Sequence, residues 1–334
     1  MTDKEYLEFA NKNYANQERY SNEIKQIYKQ YIHEIVAITK GVSFAQNKKF
    51  KFSDYPRLKK QMDKLILKFA NDIKLVIENG IYKSWDLANQ KNNALVLDVF
   101  NDRLQPNEIP TNYNLRNVES LKAFQNRREG GLNLSNRVWN ISQQFNDDIE
   151  LFLNQSILSG ISAIDLAKEL DNSILKSKTV GGRGVYKDSF ANSLRLTRTE
   201  INMSYRKSDN IRFQQLDFVI GQEIRRSNRF YSCDICDPLA KKYPKEFVFR
   251  GFHPNCRCYV VPILCSKEEF NKLTLNILRG QNNLSFTSRN EIKSIPKEFN
   301  NWVEDNKDKI LRAKNIPYFL SDNLNISSLK FLKK

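Results

Sequence analysis

Four cysteines and one histidine are the residues of this chain whose types and spacing could do chemistry. Cys233 and Cys236 form a C-x2-C pair, and His253, Cys256 and Cys258 follow within one short segment. A C-x2-C turn supplies one edge of the ligand tetrahedron that zinc prefers, and two further thiolate or imidazole ligands complete it. The pattern predicts a zinc site with these five residues as its candidate ligands.

The second pair of ligands stays open between two arrangements. In an extended segment Cys256 and Cys258 point to the same side, whereas His253 can join Cys256 across the turn at Pro254. Four protein ligands would make a closed, structural site that adds folding energy and performs no catalysis. We therefore expect a structural zinc ion.

Charge and composition limit the possible partners. Lys and Arg number 54 against 38 Asp and Glu, a formal net charge of +16, which favours polyanions such as nucleic acid. Arg225, Arg226 and Arg229 precede the C-x2-C pair, and together with the arginines of the helix at 188–218 they are candidates for a phosphate-binding face. Neither an N-terminal apolar segment nor a long apolar run is present, so we expect neither secretion nor a membrane span.

The elements that must position these residues follow from periodicity. Apolar residues at three- and four-residue steps predict bundle-forming helices at 20–35, 58–76 and 138–152. A long helix is expected from 188 to 218, and strands at 218–224 and 259–264. Further expectations are a loop around Pro106 and Pro110, a capping box at Ser162 and Asp165, a glycine-rich turn at 181–184, and helices at 267–278 and around 299–313.

The order of these motifs is specific. Arg198-Thr199-Glu200 lies in a helix, followed by a strand, the C-x2-C pair, the segment His253-Pro254-Asn255-Cys256-Arg257-Cys258 and an apolar strand that ends near Pro262. Over residues 155–265 this resembles the Mu F-like head-morphogenesis domain of phage minor head proteins. The chain departs from the family at 237–242, where the family usually has an Asp-Gly turn.

The resemblance and the patterns together predict a mainly α fold with a small α+β Mu F-like domain. We expect a helical N-terminal region at 1–154, the Mu F-like domain at 155–265 and a basic C-terminal extension at 266–334. A zinc-knuckle-like Cys/His cluster would lie next to a short β-hairpin or sheet. Arg198 and Glu200 are expected to form a structural ion pair that anchors the helix.

For such a family the resemblance implies a structural virion protein and not an enzyme. It implies portal protein and major capsid protein as partners, phage DNA as a further contact, and a place inside the capsid near the portal after assembly in the host cytoplasm. Trp302, Tyr318 and Phe319 would give the C-terminal extension apolar anchors for docking on these partners.

Two other classes of function compete with this interpretation. A zinc-dependent nuclease or toxin would need an open zinc position and a general base, for which Asp234 and Glu246 are candidates. The chain has only 2 histidines, which argues against it. A cellular zinc-containing DNA-binding protein would suit the charge, but no recognition-helix motif is evident.

Overall fold

The computed structural model of the chain describes residues 1–40, 42–45, 48–101, 103–158, 188–227, 232–281 and 286–332. Most of these residues are helical, and a small antiparallel sheet lies near a Cys/His cluster. The mainly α architecture with a short sheet is therefore confirmed. The predicted capping box at Ser162 and Asp165 and the turn at 181–184 lie outside the described residues.

The helices agree with the periodicity of the sequence. They are α1 (Asp3–Thr39), α2 (Pro56–Phe100), α3 (Val118–Asn126), α4 (Leu134–Leu158), α5 (Ser189–Gln215), α6 (Cys236–Leu239), α7 (Lys267–Leu278), α8 (Lys297–Asp305), α9 (Lys307–Arg312) and α10 (Tyr318–Ser321). The first two continue well beyond their predicted apolar stripes, because buried residues recur at three- and four-residue steps there too, among them Tyr6 and Ala10 of α1 and Ile81 and Trp85 of α2. Among the described residues, no helix has the length and apolar character needed to cross a membrane.

Three strands form the sheet. They are β1 (Val219–Arg225), β2 (Lys242–Tyr243) and β3 (Tyr259–Leu264). Their order is β2-β1-β3 and both pairings are antiparallel, with Glu223 of β1 opposite Lys242 on one side and Val261 on the other. The two predicted strands are confirmed. The central strand β1 follows α5 directly, and β3 follows the last candidate ligand, Cys258.

The chain forms two compact units, each assembled from segments that are distant in sequence. The cysteine unit comprises Met1–Asn16, Ile81–Phe124 and Ile201–Lys334. The helical unit comprises Gln17–Gly80 and Gln125–Glu200. The domain boundaries expected after 154 and 265 follow chain order and stay predictions; the first of them falls inside α4.

An aromatic core holds the helical unit together. The ring centroid of Tyr28 lies 4.9 Å from those of Phe69 and Phe145 and 5.1 Å from that of Phe190, so α1, α2, α4 and α5 all contribute. The Tyr28 hydroxyl is hydrogen-bonded to the Ser193 hydroxyl at 2.8 Å. Edge-to-face rings at these distances add to the free energy of burial. The predicted apolar stripes therefore serve as bundle cores, as expected.

The residues after 265 belong to the core of the cysteine unit. Phe319 is buried, and Trp302 and Tyr318 pack against the same cluster of side chains as Phe218, which leads into β1. The helices predicted here are confirmed, the second being divided at Asn306 into α8 and α9. The expectation that these three aromatic residues anchor an extension to a partner is corrected, because their own unit covers them.

Candidate metal centre

The first arm of the candidate centre is a tight turn of the cysteine unit. The Cys236 amide donates to the Cys233 sulfur at 3.4 Å, and the Asp237 amide donates to the Cys233 carbonyl at 2.9 Å. The Asp237 carboxylate in turn accepts from the Cys233 amide at 2.9 Å. Since α6 begins at Cys236, the helix sets the direction of that side chain. The C-x2-C pair therefore forms the turn that a metal knuckle requires.

The second arm precedes β3 and bends at two left-handed residues. Gly251 has φ +116°, and a Cβ there would collide with the guanidinium of Arg206. Asn255 has φ 59°, which asparagine tolerates better than most residues. The Cys256 amide then donates to the His253 carbonyl at 3.1 Å. This turn brings the imidazole and the Cys256 thiol towards the first arm.

The candidate ligand atoms form two groups that share the Cys236 sulfur, and the atoms of each group lie within 4.8 Å of one another. His253 Nε2 lies 3.3 Å from Cys233 Sγ and 3.1 Å from Cys236 Sγ. Cys236 Sγ lies 3.8 Å from Cys256 Sγ. With zinc–sulfur bonds of about 2.3 Å, a tetrahedron places two sulfurs about 3.8 Å apart and a sulfur and a nitrogen slightly closer. These contacts match the edges of such a tetrahedron.

The hydrogen bond of the other ring nitrogen, Nδ1, determines the tautomer of His253. Nδ1 lies 2.7 Å from the Pro254 carbonyl oxygen, which can only accept a hydrogen bond. Nδ1 therefore carries the proton in the neutral ring, and Nε2 directs its lone pair at the two sulfurs. Metal-bound histidines are commonly held by such a bond to a carbonyl. His253 is thus prepared to bind a metal through Nε2.

Cys258 is the remaining candidate ligand. The sulfurs of Cys236, Cys256 and Cys258 lie within 4.8 Å of one another, and all three residues are buried. Burial opposes ionisation of Cys256, but hydrogen bonds from the two other thiols and the charge of Arg206 outweigh it and hold its pKa well below the usual range. The thiolate is the form that binds metals. All five predicted residues are therefore brought together, and Cys236 belongs to both possible groups.

Arg206 of α5 joins the second arm to the helix. Its guanidinium donates to the carbonyl oxygens of Arg250 at 3.0 Å, Cys256 at 2.8 Å and Cys258 at 2.5 Å. The residue is 3% exposed, and a buried guanidinium is tolerated only when its donors are used. The expectation that Arg206 joins a phosphate-binding face is therefore wrong. Its spacing of four residues from Asn202, on the same helix face, was the available signal.

Two more side chains complete this support. Asn202 donates to the Cys256 carbonyl at 2.6 Å and accepts from Asn13 at 3.0 Å. The Tyr14 hydroxyl donates to the Arg257 carbonyl. Each carbonyl from Cys256 to Cys258 thus accepts a hydrogen bond from a side chain of α1 or α5. Sequence reasoning missed these residues, since nothing in their local pattern marks the distant carbonyl that each one meets.

The predicted ion pair between Arg198 and Glu200 is wrong. Residues two apart on a helix do not face each other. Glu200, which is 1% exposed, accepts instead from Arg127 at 2.8 Å and Arg137 at 2.7 Å. Arg198 pairs with Glu18 at 3.0 Å. Glu200 is a buried structural carboxylate as expected, but its partners lie on the segment that leads into α4 and on α4 itself.

The arginines expected to meet phosphates already have carboxylate partners. Arg225 pairs with Asp3 at 2.8 Å and with Glu223 at 2.7 Å. Burial alone would lower the pKa of Arg225, but its hydrogen bonds to these carboxylates raise it above the usual range. Arg226 pairs with Asp237. Arg229 lies outside the described residues, so this candidate face offers less uncompensated charge than its sequence suggests.

The donor set consists of soft and borderline ligands. Within the described part of the chain, the two groups of clustered ligands contain only cysteine and histidine. Asp234 and Glu246, considered as bases from the sequence, are exposed and belong to neither group. A hydrolytic zinc keeps one position for water and needs a base within hydrogen-bond reach of it. The arrangement can bind a soft or borderline metal and stabilise the two arms around it.

The chain was compared with protein-family models, with curated proteins and with solved structures, and none of them matches it.

Proposed function

We propose that this chain is a structural minor head protein of a tailed phage or prophage, of the Mu F-like head-morphogenesis family, and that its cluster holds a zinc ion. One observation carries the proposal: the Cys233–Cys236 turn and the His253–Cys258 segment converge on one metal-ligating cluster between β1 and β3, with α5 behind it. This is the order of motifs by which the sequence resembles the family. Residues 237–242, where the chain departs from the family, include most of α6 and the first residue of β2.

The metal in this proposal is Zn²⁺, held by Cys233, Cys236, His253 and Cys256. Thiolate and imidazole donors favour zinc over harder ions. The Cys236 sulfur contacts both His253 and Cys256, so it joins the two groups of ligands in this proposal. Cys258 would then neighbour the site without binding the ion. A zinc ion in such a closed site contributes folding free energy to the cysteine unit.

The same geometry favours a structural role over the hydrolytic one of a nuclease or toxin. A closed set leaves no position for an attacking water, and Asp237, which directly follows Cys236, is engaged by Arg226 and the Cys233 amide. A zinc nuclease would show metal-dependent cleavage of DNA or RNA that is lost on His253→Ala. We therefore propose binding, not catalysis.

The proposed partners are the portal protein, the major capsid protein and phage DNA. The protein would act inside the capsid near the portal, after assembly in the host cytoplasm. The net charge of +16 supports contact with a polyanion. The order of the motifs along the chain supports a location inside the phage head.

Affinity purification from phage-producing cells tests this function. A tagged chain would be isolated beside a tagged Cys233→Ser/Cys236→Ser variant and an untagged control, and the associated proteins would be identified by mass spectrometry. Portal and capsid proteins should accompany the intact chain and be depleted in the variant. Their absence, with a cellular protein enriched instead, would contradict the proposal.

A further inference from the structure

A stripe of positive side chains lies along the beginning of α2, in the helical unit. Arg57, Lys60, Lys64 and Lys68 are all exposed and follow one another at steps of three and four residues, which places them on one helix face. At 1.5 Å per residue the stripe is about 16 Å long. Among the described residues, none of the four has an ion-pair partner. We name these four residues the basic stripe.

The surrounding segment is strongly basic as well. Residues 40–68 contain nine Lys or Arg and two Asp, a net charge of +7 out of +16 for the chain. Asp54 pairs with Lys48 at 3.0 Å and Asp63 pairs with Lys59 at 2.7 Å. Both acidic residues thus pair with lysines outside the basic stripe, so neither neutralises a residue of the stripe. Lys68 of the stripe lies over the Tyr31 ring, 5.6 Å from its centroid, and keeps its positive charge.

Arg57, the first residue of the basic stripe, lies where a positive charge is electrostatically unfavourable for the free helix. The N-terminal turn of an α-helix carries a partial positive charge, where acidic residues stabilise and basic residues destabilise it. The first turn of α2 has no acidic residue and includes Arg57 and Lys59. A bound anion would relieve this repulsion. A face that served solubility alone would gain nothing from this placement.

The described aromatic side chains that precede α2 pack against one another. Phe50 and Phe52 are 3% and 4% exposed, and the Phe50 ring stacks on Tyr55 with centroids 5.5 Å apart. The Phe50 amide donates to the Asn154 side chain at 2.8 Å, which ties the loop to α4. Proteins that bind single strands stack bases on exposed rings. Here the rings contact each other, so the chemistry on display is charge alone.

We propose that the basic stripe binds the phosphate backbone of duplex DNA without reading its bases. Duplex DNA carries one negative charge per about 1.7 Å of its axis, so a straight basic stripe of this length faces several phosphates at any position. Three of the four residues are lysines, which act as point charges and do not impose the geometry of a bidentate base contact. The inference rests on the proposed function and deepens it, since it names the surface that meets the genome.

The test measures binding of the purified full chain to short fluorescent duplexes of two unrelated sequences, at several salt concentrations between about 50 and 200 mM. The variant is Arg57→Gln/Lys60→Gln/Lys64→Gln/Lys68→Gln. A matched control removes one arginine and three lysines at exposed positions of the cysteine unit: Lys297→Gln/Lys309→Gln/Arg312→Gln/Lys314→Gln. Circular dichroism and thermal unfolding verify that both fold. A double variant, Lys64→Gln/Lys68→Gln, serves if the fourfold change unfolds the helix.

The intact chain should bind both duplexes equally, with affinity that falls steeply as salt rises. Each lost phosphate contact should reduce the slope of log affinity against log salt by about 0.9, and the fourfold variant should bind at least about tenfold more weakly at low salt. The control should stay within about threefold of the intact chain. The double variant should show about half the change in slope that the fourfold variant shows.

Three results would overturn the inference: unchanged binding by the stripe variant, an equal loss in the control variant, or tighter binding to single strands than to duplex. Binding to vesicles of anionic phospholipid with none to DNA would overturn it as well. This experiment uses only purified protein, DNA and lipid, so its failure leaves the purification of portal and capsid partners as a separate test of the proposed function.

Discussion

The guanidinium of Arg206 and the carbonyl oxygen of Cys256 lie 2.8 Å apart, and both residues are buried. The bond connects the long helix α5 to the arm that carries three of the five candidate ligands. Since the same guanidinium also reaches the carbonyls of Arg250 and Cys258, one side chain sets the path of this arm before any metal binds. Preorganised ligands bind a metal more tightly than ligands on a free loop.

Replacing Arg206 by lysine should therefore weaken metal binding. One ammonium cannot span three carbonyls with the geometry of a guanidinium, and loss of such supporting contacts lowers metal affinity by about 10- to 100-fold. Competition with a chromogenic chelator measures the affinity. Arg198→Lys makes the same chemical change on the same helix at a half-exposed ion pair and is the control. Equal affinity in the two variants would refute the role of Arg206.

Serine substitutions should distinguish the cysteines that bind the metal from those that only lie near it. Cys233→Ser/Cys236→Ser should abolish metal binding and lower the melting temperature of the cysteine unit, because metal binding supplies folding free energy. Cys256→Ser should lose the metal and Cys258→Ser should retain it. Cys265→Ser, outside both groups, is the control. Elemental mass spectrometry measures the metal content of each variant, and thermal unfolding measures its stability. Full stability of the Cys233→Ser/Cys236→Ser variant would exclude a structural metal.

A double-mutant cycle should distinguish the partners of Glu200. Glu200→Gln removes a buried charge facing two arginines and should cost about 3 kcal/mol, whereas Arg198→Gln should cost less than about 1 kcal/mol because Glu18 is 45% exposed. Glu200 and Arg137 should couple by more than about 1 kcal/mol, while Glu200 and Arg198 should be additive within about 0.5 kcal/mol. Chemical unfolding of the intact chain, of the single variants Glu200→Gln, Arg198→Gln and Arg137→Gln, and of the two double variants that include Glu200→Gln measures both cycles. Strong coupling between Arg198 and Glu200 would support the ion pair that the sequence predicted.

Acid should remove the contribution of Glu269. This carboxylate accepts from the Arg289 amide at 2.7 Å, the Ser288 hydroxyl at 2.8 Å and the Ser266 amide at 3.0 Å, and these bonds lower its pKa from 4.5 to about 2. A carboxyl group with a depressed pKa stabilises the fold fully above its unfolded value, and this stabilisation is lost as pH falls through the folded value.

The difference in unfolding midpoint between the intact chain and Glu269→Gln should thus be constant above about pH 5 and shrink between pH 4.5 and about 2. Glu268→Gln removes an exposed carboxylate from the same helical turn and is the control. A difference for Glu269→Gln that did not change with pH would show that its bonds do not depend on the charge.

Local patterns in the sequence predicted the long bundle helices, two of the three strands and the candidate ligands, but not α3 or β2. The apolar steps through Tyr28 and Phe69 predicted bundle helices, and the soft side chains at 233, 236 and 256 predicted a metal cluster, because both signals depend on neighbouring residues. The partners of Glu200 lie 73 and 63 residues away along the chain, and no periodicity reports such contacts. For the same reason Phe319 could not be assigned to its own unit beforehand.

The interleaving of the two units bears on how the protein is made. All segments of the helical unit have left the ribosome once residue 200 has emerged, but the cysteine unit needs the first sixteen residues and those after 200. At about 5 to 20 residues per second, synthesis of residues 201–334 takes roughly seven to twenty-seven seconds. During that interval Tyr14 has no Arg257 carbonyl to bond. The nascent helical unit can therefore close first, and metal capture becomes a late step of biogenesis.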